Sequence, residues 1–112
     1  MPKLPLEISP REVKSLMDSE AKIALIDVRE PAEYATARIE GSVLIPMHTV
    51  PSQLPSLDEL ADHSTLIVFC HHGVRSLNVV NWLRGQGVDA CQSMAGGIDA
   101  WSLQIDLSVR RY

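Results

Sequence analysis

The sequence has few aromatic residues and little clustered positive charge. Aromatic side chains make up 4% of its 112 residues, so the hydrophobic core must be mainly aliphatic. The net charge is −4, and the one pair of adjacent basic residues, Arg110-Arg111, lies near the C-terminus. Nucleic-acid binding needs clustered lysine and arginine side chains that neutralise phosphates. We therefore expect no nucleic-acid partner.

Cysteines and long apolar runs are also scarce. The two cysteines, Cys70 and Cys91, are too few for a disulfide framework, and we expect both to be free thiols in a reducing compartment. No stretch reaches the roughly 18 apolar residues that cross a bilayer. Residues 1–9 also lack the apolar run of a signal peptide. These absences predict a cytoplasmic protein with no membrane partner.

What the sequence does contain is a regular alternation of strand and helix patterns. Short, β-branched apolar runs predict strands that are buried on both faces, as in a parallel sheet. Ser9 and Pro10 predict the start of the first helix, because serine caps a helix and proline suits its first position. The predicted strands cover residues 6–8, 23–28, 43–45, 66–70 and 88–94, and the predicted helices cover residues 10–19, 31–36, 57–63, 76–85 and a last segment that includes Ile98 and Trp101. The expected fold class is α/β, with a mostly parallel central sheet flanked by helices in one domain over residues 1–112.

Cys70 ends a predicted buried strand, at the sheet edge where open α/β proteins bind their ligands. In the loop that follows, Gly73 can adopt a positive φ and let backbone N–H groups converge. Arg75 adds a cation and Ser76 adds a hydroxyl group. Together with the positive end of the next helix, these groups favour a thiolate over a thiol. A buried cysteine is often only a core residue, but this combination predicts a nucleophile in an anion-binding loop that consists of His71, His72, Gly73, Val74, Arg75 and Ser76.

This loop, Cys70-x-x-Gly73-x-Arg75-Ser76, resembles the active-site loop of the rhodanese (thiosulfate sulfurtransferase) family. Three further segments resemble that family in the same order along the chain: residues 27–34, residues 37–46 and residues 95–101. The resemblance covers most of the chain, from about Ile8 to Trp101. It implies the three-layer rhodanese-like fold and a catalytic role for Cys70.

The resemblance also implies a reaction in two steps. Cys70 would take the outer sulfur of a small-molecule donor (thiosulfate, a polysulfide or a persulfide) and hold it as a persulfide. A thiophilic acceptor, cyanide in assays or a thiol in cells, would then remove it. The backbone amides of residues 71–76 would stabilise the persulfide, and no metal or organic cofactor would be needed. A protein persulfide is an alternative donor or acceptor.

Two other functions remain open, a partner-dependent sulfur carrier and, with less support, a phosphatase-like enzyme. The related cysteine phosphatases have five residues between cysteine and arginine, whereas four lie between Cys70 and Arg75. The shorter ring suits a single sulfur atom better than a phosphoryl group. Many thiosulfate-using rhodaneses resemble one another in having arginine or lysine directly after the cysteine, where this chain has His71. Because an ordinary histidine is mostly neutral at pH 7, a polysulfide or persulfide is at least as good a candidate donor as thiosulfate.

Several polar residues have a structural interpretation beside a functional one. Adjacent His71 and His72 have poor spacing for chelating one ion in a tight turn, so we expect no metal site. Asp27 should brace the end of its strand, while Arg29 could also lie at the rim of the pocket. Cys91 falls in an apolar strand pattern, which predicts a core thiol and not a partner of the active-site sulfur.

Overall fold

The computed structural model describes residues 4–112 and contains a five-stranded sheet with α-helices around it. The strands are β1 (Glu7–Ile8), β2 (Ile23–Asp27), β3 (Val43–Leu44), β4 (Thr65–Phe69) and β5 (Cys91–Met94). The helices are α1 (Pro10–Asp18), α2 (Pro31–Thr36), α3 (Leu54–Ala61), α4 (Val74–Gly85) and α5 (Gly97–Gln104), and a 3₁₀ helix (Met47–Gln53) precedes α3.

The sheet has the strand order β1-β5-β4-β2-β3, and each neighbouring pair of strands is parallel. The prediction of an α/β fold with a mostly parallel sheet is therefore confirmed. Since all strands point the same way, their carboxyl ends meet at one edge. The loops after β2, β4 and β5 leave that edge side by side, because β4 pairs with both of the other strands.

The central strand β4 divides the hydrophobic core into two halves. Leu66 and Val68 pack on one face, together with residues of α3 and α4. Ile67 and Phe69 pack on the opposite face, together with residues of α1 and α5. This alternation follows from the two-residue period of a strand, and it produces the three layers of helix, sheet and helix. Cys70, the next residue, is turned towards the α4 face.

Helix α1 begins where the sequence predicts. Ser9 caps it, since the Ser9 hydroxyl accepts a hydrogen bond from the Glu12 backbone N–H at 3.1 Å, and Pro10 is its first residue. The side chain of Glu12 lies 3.2 Å from the Ser9 hydroxyl. The local capping chemistry was sufficient for this prediction.

Four predicted elements differ clearly from the structure, one of them being α3, which begins at Leu54 and not at residue 57. The strand expected at residues 43–45 is not buried on both faces, because β3 is an edge strand and Val43 is 53% exposed. The strand expected from residue 88 begins only at Cys91, and α4 begins at Val74 instead of Ser76. The loop between β4 and α4 is consequently shorter than expected, and Val74 to Ser76 belong to the first turn of α4. Across residues 4–112, none of the helices combines the length and apolarity needed to cross a membrane.

Candidate active site

The sulfur of Cys70 lies at the N-terminus of α4, where helix amides have no partner within the helix. Cys70 Sγ accepts hydrogen bonds from the backbone N–H groups of Gly73 at 3.1 Å and of Ser76 at 3.4 Å. The thiol can itself donate to the Ser76 hydroxyl, also at 3.4 Å. The residue is only 1% exposed. Its sulfur therefore sits in a small polar cradle that is largely closed to water.

Gly73 gives the cradle its shape. It is the N-cap of α4 and has a φ of +106°, a conformation that other residues rarely adopt. A Cβ atom at this position would lie 3.2 Å from the Gly96 backbone nitrogen. Glycine is thus needed both for the turn that aims the amides at the sulfur and for the close approach of the β5–α5 connection.

The N-terminus of α5 holds the carbonyl groups of the same loop. The Ile98 N–H donates to the Cys70 carbonyl at 2.9 Å, and the Asp99 N–H donates to the His71 carbonyl at 3.1 Å. Gly97 has a φ of +62°, and a Cβ atom there would collide with both carbonyl groups. No local pattern in the sequence indicated that the turn at Gly96-Gly97 holds the Cys70 loop.

Ser93 is a residue of the site that sequence reasoning missed. It lies on β5 and is fully buried, and its hydroxyl is 2.8 Å from the Ser76 hydroxyl. The Ser76 hydroxyl also lies 3.2 Å from the Gly73 carbonyl. Ser93 is therefore linked to the sulfur of Cys70 through Ser76. A serine in the middle of a predicted apolar strand was the available signal, since a buried hydroxyl needs a partner.

Arg75 is not a free cation of the cradle. Its guanidinium makes two hydrogen bonds to the Glu33 carboxylate, at 2.7 and 2.9 Å. The hydrogen bonds to Glu33 raise the pKa of Arg75, and the charge of Cys70 acts in the same direction. Burial alone would lower this pKa. Hydrogen bonding by Arg75 lowers the pKa of Glu33 to about 2. The cation that the sequence analysis expected at Arg75 is thus paired with a carboxylate, which α2 brings opposite the loop.

Arg29 does not lie at an open pocket rim. Its side chain is fully buried and pairs with Asp27 at 2.7 Å, and it also donates to the Ala37 carbonyl at 2.7 Å. The pairing of a buried guanidinium with a carboxylate and a carbonyl satisfies its donors. This corrects the expectation for Arg29 and agrees with the bracing role expected of Asp27.

Tyr112 contacts the loop from the other end of the chain. Its ring stacks on the His71 imidazole, with centroids 3.9 Å apart and planes 8° apart. Its hydroxyl donates to Glu33 at 2.7 Å and accepts from Arg29 Nη1 at 2.8 Å. Burial raises the pKa of Tyr112 to about 12, so the hydroxyl remains protonated near neutral pH. Nothing in the sequence around residue 112 indicated this contact.

The two histidines of the loop stack on each other, with ring centroids 3.9 Å apart. Burial, followed by the neighbouring His72, lowers the pKa of His71, so its imidazole is neutral near pH 7. His72 is turned outwards and lies 3.9 Å from Asp99. The stacked rings do not converge on a common point, and within residues 4–112 no group of three or more His, Cys, Asp or Glu residues could hold a metal ion.

Several apolar side chains on and beside α4 are exposed, whereas the second cysteine is buried. Val74 is 71% exposed at the start of α4, and Met47 and Trp82 are more than one-third exposed beside a small groove on the same helix. Cys91 is fully buried, and burial raises the pKa of its thiol, which lies 3.3 Å from the Val88 carbonyl. Both cysteines are free thiols.

Comparison with known proteins supplies the family. The family described as the rhodanese-like domain matches residues 9–104. The chain belongs to the rhodanese-like family. Thiosulfate sulfurtransferase GlpE of Haemophilus influenzae is 35% identical over 96 residues, which cover 85% of this chain and 86% of that protein. The predicted family is thereby confirmed, and its named members include sulfurtransferases.

Solved structures of rhodanese-like proteins have the same architecture. A rhodanese-like domain protein of Staphylococcus aureus superimposes with a TM-score of 0.79 at 30% identity, over 96% of this chain and 99% of that one. The human single-domain sulfurtransferase TSTD1 gives a TM-score of 0.76 at 26% identity, over 90% of this chain and 98% of that one. The expected rhodanese-like three-layer fold is therefore confirmed.

Some relatives are much longer than this chain. The probable adenylyltransferase/sulfurtransferase MoeZ of Mycobacterium tuberculosis is 35% identical over 105 residues, and these cover 94% of this chain but 26% of MoeZ. The chain thus spans about a quarter of that relative. The rhodanese-like fold occurs both as a small protein and as one part of a larger protein.

Proposed function

We propose that this protein is a sulfurtransferase that carries sulfane sulfur as a persulfide on Cys70. The observation that carries the proposal is the position of Cys70 Sγ at the N-terminus of α4, where it accepts hydrogen bonds from the backbone N–H groups of Gly73 and Ser76. Such a cradle favours negative charge on sulfur, because amides and the positive helix end stabilise an anion. The named sulfurtransferases among the relatives support the same chemistry.

In the first step, the Cys70 thiolate attacks the outer sulfur of the donor. A bond forms between Sγ and that sulfur, and the bond between the outer sulfur and the rest of the donor breaks. With thiosulfate the leaving group is sulfite. With a protonated organic persulfide it is a thiolate, which takes up the proton of the transferred sulfur and departs as a thiol. The electron pair of the broken bond departs with the leaving group. The step needs no external oxidant or reductant, so the proposed transfer requires neither a metal nor an organic cofactor.

In the second step, an acceptor attacks the outer sulfur of the Cys70 persulfide. Cyanide would leave as thiocyanate, and a thiol would leave as a persulfide, while Cys70 returns as a thiolate. The amides of Gly73 and Ser76 stabilise the anion before and after each transfer, since both states carry one negative charge on sulfur.

A partner-dependent sulfur carrier is the second candidate. It is favoured by the burial of Cys70, which is 1% exposed, next to Val74, which is 71% exposed. A protein persulfide that covers Val74 could reach the sulfur more readily than a hydrated small anion. This candidate predicts a single sulfur transfer from a protein donor with little turnover on small molecules. A phosphatase-like reaction has less support, because Arg75 is paired with Glu33 and does not face the cradle as a free cation.

Mass spectrometry of the intact protein tests the proposal. Reduced protein is incubated with thiosulfate or, separately, with a polysulfide, and we expect a mass increase of one sulfur atom that peptide analysis places on Cys70. Cyanide or a thiol should remove it. Cys70→Ser should abolish the adduct without unfolding the protein.

Cys91→Ser is the matched control for that experiment. The serine hydroxyl can donate to the Val88 carbonyl that the Cys91 thiol already contacts, so sulfur transfer should stay close to the wild-type rate. An adduct that persists in Cys70→Ser would contradict the proposed site. A folded, reduced protein that accepts no sulfur from either small donor would favour the partner-dependent carrier.

A further inference from the structure

The arginines around the Cys70 loop are each paired with a carboxylate. The Arg29 and Arg75 pairs place both oxygens of the carboxylate within hydrogen-bond distance of the guanidinium. Arg111, which follows α5, lies 2.8 Å from Asp99. The three pairs are Asp27–Arg29, Glu33–Arg75 and Asp99–Arg111. None of these cations offers uncompensated positive charge to an incoming anion.

The histidines of the loop do not replace that charge. The pKa of His71 is lowered by burial and by His72, so His71 is neutral near pH 7. His72 lies 3.9 Å from the carboxylate of Asp99. The positive potential that remains at the sulfur comes from the backbone N–H groups of Gly73 and Ser76 and from the end of α4. A helix terminus is equivalent to roughly half an elementary charge, which is less than the charge of one anionic sulfur and leaves no positive charge to balance an incoming dianion.

The Glu33–Arg75 pair belongs to a larger hydrogen-bond network. One oxygen of Glu33 accepts from the Glu30 backbone N–H at 3.0 Å, and the other accepts from the Tyr112 hydroxyl at 2.7 Å. Each of the two Glu33 oxygens also accepts a hydrogen bond from the Arg75 guanidinium. An anion that took the place of Glu33 at Arg75 would have to replace two hydrogen bonds, and Glu33 is kept beside Arg75 by Glu30 and Tyr112.

We propose that Glu33 is a specificity-determining residue, which cancels the charge of Arg75 and so makes the site select sulfur donors with one negative charge over dianionic thiosulfate. The favoured class comprises thiosulfonates, which carry one negative charge, and a protonated organic persulfide, which carries none, is favoured on the same ground. Glu33 acts through Arg75 and is therefore a positioning residue, not a catalytic one. This inference rests on the proposed sulfur transfer to Cys70 and concerns the choice of donor.

Two donors that differ mainly in charge allow a direct test. Thiosulfate carries two negative charges and leaves as sulfite, whereas methanethiosulfonate carries one and leaves as methanesulfinate. In both reactions, Cys70 gains the outer sulfur, and the electron pair of the broken sulfur–sulfur bond leaves with the sulfinate or sulfite. The charge of the complex differs by one unit between the donors. An uncompensated cation beside the loop would therefore favour thiosulfate more.

The experiment measures kcat/KM for both donors, at several salt concentrations, in the wild-type protein and in Glu33→Gln. For the wild type we expect a preference for methanethiosulfonate and little salt dependence with thiosulfate. In Glu33→Gln, kcat/KM for thiosulfate should rise about tenfold relative to methanethiosulfonate, mainly through KM, which corresponds to about 1.4 kcal/mol. The gain should shrink with added salt, because the freed charge of Arg75 is screened.

Asp18→Asn is the matched control. It makes the same change in net charge by removing the partner of Lys14 at the C-terminal end of α1, at the opposite edge of the sheet from Cys70. It should leave the donor ratio unchanged. An unchanged ratio in Glu33→Gln, with sulfur transfer intact for both donors, would overturn this inference and leave the proposed function standing.

Two other results would also overturn it. The first is a steep fall of the wild-type kcat/KM for thiosulfate with added salt, which would reveal an uncompensated cation and needs no folded variant. The second is the absence of sulfur transfer to Cys70 from both donors in the wild type, which would overturn the proposed function as well.

Discussion

At the scale of single residues, the hydroxyl groups behind Cys70 show how a buried strand contributes to the site. The Ser76 hydroxyl has one proton and two acceptors within reach, the Gly73 carbonyl at 3.2 Å and the Cys70 sulfur at 3.4 Å, and an anionic sulfur is the stronger acceptor of the two. The Ser93 hydroxyl, 2.8 Å from Ser76, can then donate to the Ser76 oxygen. Ser93 thereby orients the donor that faces the sulfur.

Ser93→Ala should lower the rate of sulfur transfer while the protein remains folded. Loss of one buried hydrogen bond of about 1 kcal/mol predicts a decrease in kcat/KM of about fivefold. Steady-state kinetics with either donor measures it. Ser42→Ala is the control, since the Ser42 hydroxyl binds the Ile39 carbonyl at the start of β3, away from the sulfur. An equal effect of both substitutions would argue against the orienting role of Ser93.

At the scale of elements, the site depends on two helix N-termini that meet at one loop. The amides of α4 bind the sulfur of Cys70, and those of α5 bind the carbonyl groups of Cys70 and His71. The loop is thus held on both its side-chain and its backbone side. This arrangement requires Gly97, because a side chain there would occupy the space of the two carbonyl groups.

Gly97→Ala should destabilise the protein and reduce sulfur transfer together. The positive φ alone costs alanine roughly 1 kcal/mol, and the collision with the loop carbonyls adds to that cost. Gly87→Ala is the matched control, because Gly87 has a φ of +90° but nothing within 4 Å of its Cβ position. Urea unfolding should show a clearly larger loss for Gly97→Ala. Equal losses would mean that the clamp of α5 on the loop has no energetic role.

At the scale of the whole molecule, the pKa of His71 links stability to pH. Burial lowers this pKa in the folded protein below its ordinary value of 6.5. The unfolded chain therefore binds more protons than the folded protein as the pH falls. The free energy of unfolding should decrease when the pH is lowered through about 6.5, and the lost stability is fully present above that value. Glu33, with its pKa lowered from 4.5 to about 2 by Arg75, stabilises the protein fully above pH 4.5, and this contribution is lost only as the pH falls from there towards 2.

His71→Phe should make the stability less dependent on pH between about 7 and 5. Phenylalanine can keep the stacking on Tyr112 but cannot be protonated. Urea midpoints measured across this range give the slope. His63→Phe, which replaces a histidine at the end of α3 that does not contact the site, should retain the wild-type slope. Should His71→Phe retain it too, the pH dependence must have another origin.

Local patterns in the sequence were sufficient for the order of the elements and for the loop that places Cys70 at the N-terminus of a helix. The apolar run of β4, the cap of α1 and the glycine in the loop after Cys70 are interactions between near neighbours, so short stretches of sequence encode them. The roles of Gly73 and Ser76 followed from the same local argument, namely that a strand, a glycine turn and a helix aim amides at one point.

The electrostatic character of the site required the tertiary structure. Glu33 and Arg75 are 42 positions apart in the sequence, Ser76 and Ser93 are 17 apart, and Arg29 and Tyr112 are 83 apart. These contacts depend on the order of the strands and on the path of the segment after α5, and no local pattern encodes either. The exposure of β3 has the same cause, since an apolar run does not reveal whether its strand lies at the centre or at the edge of the sheet.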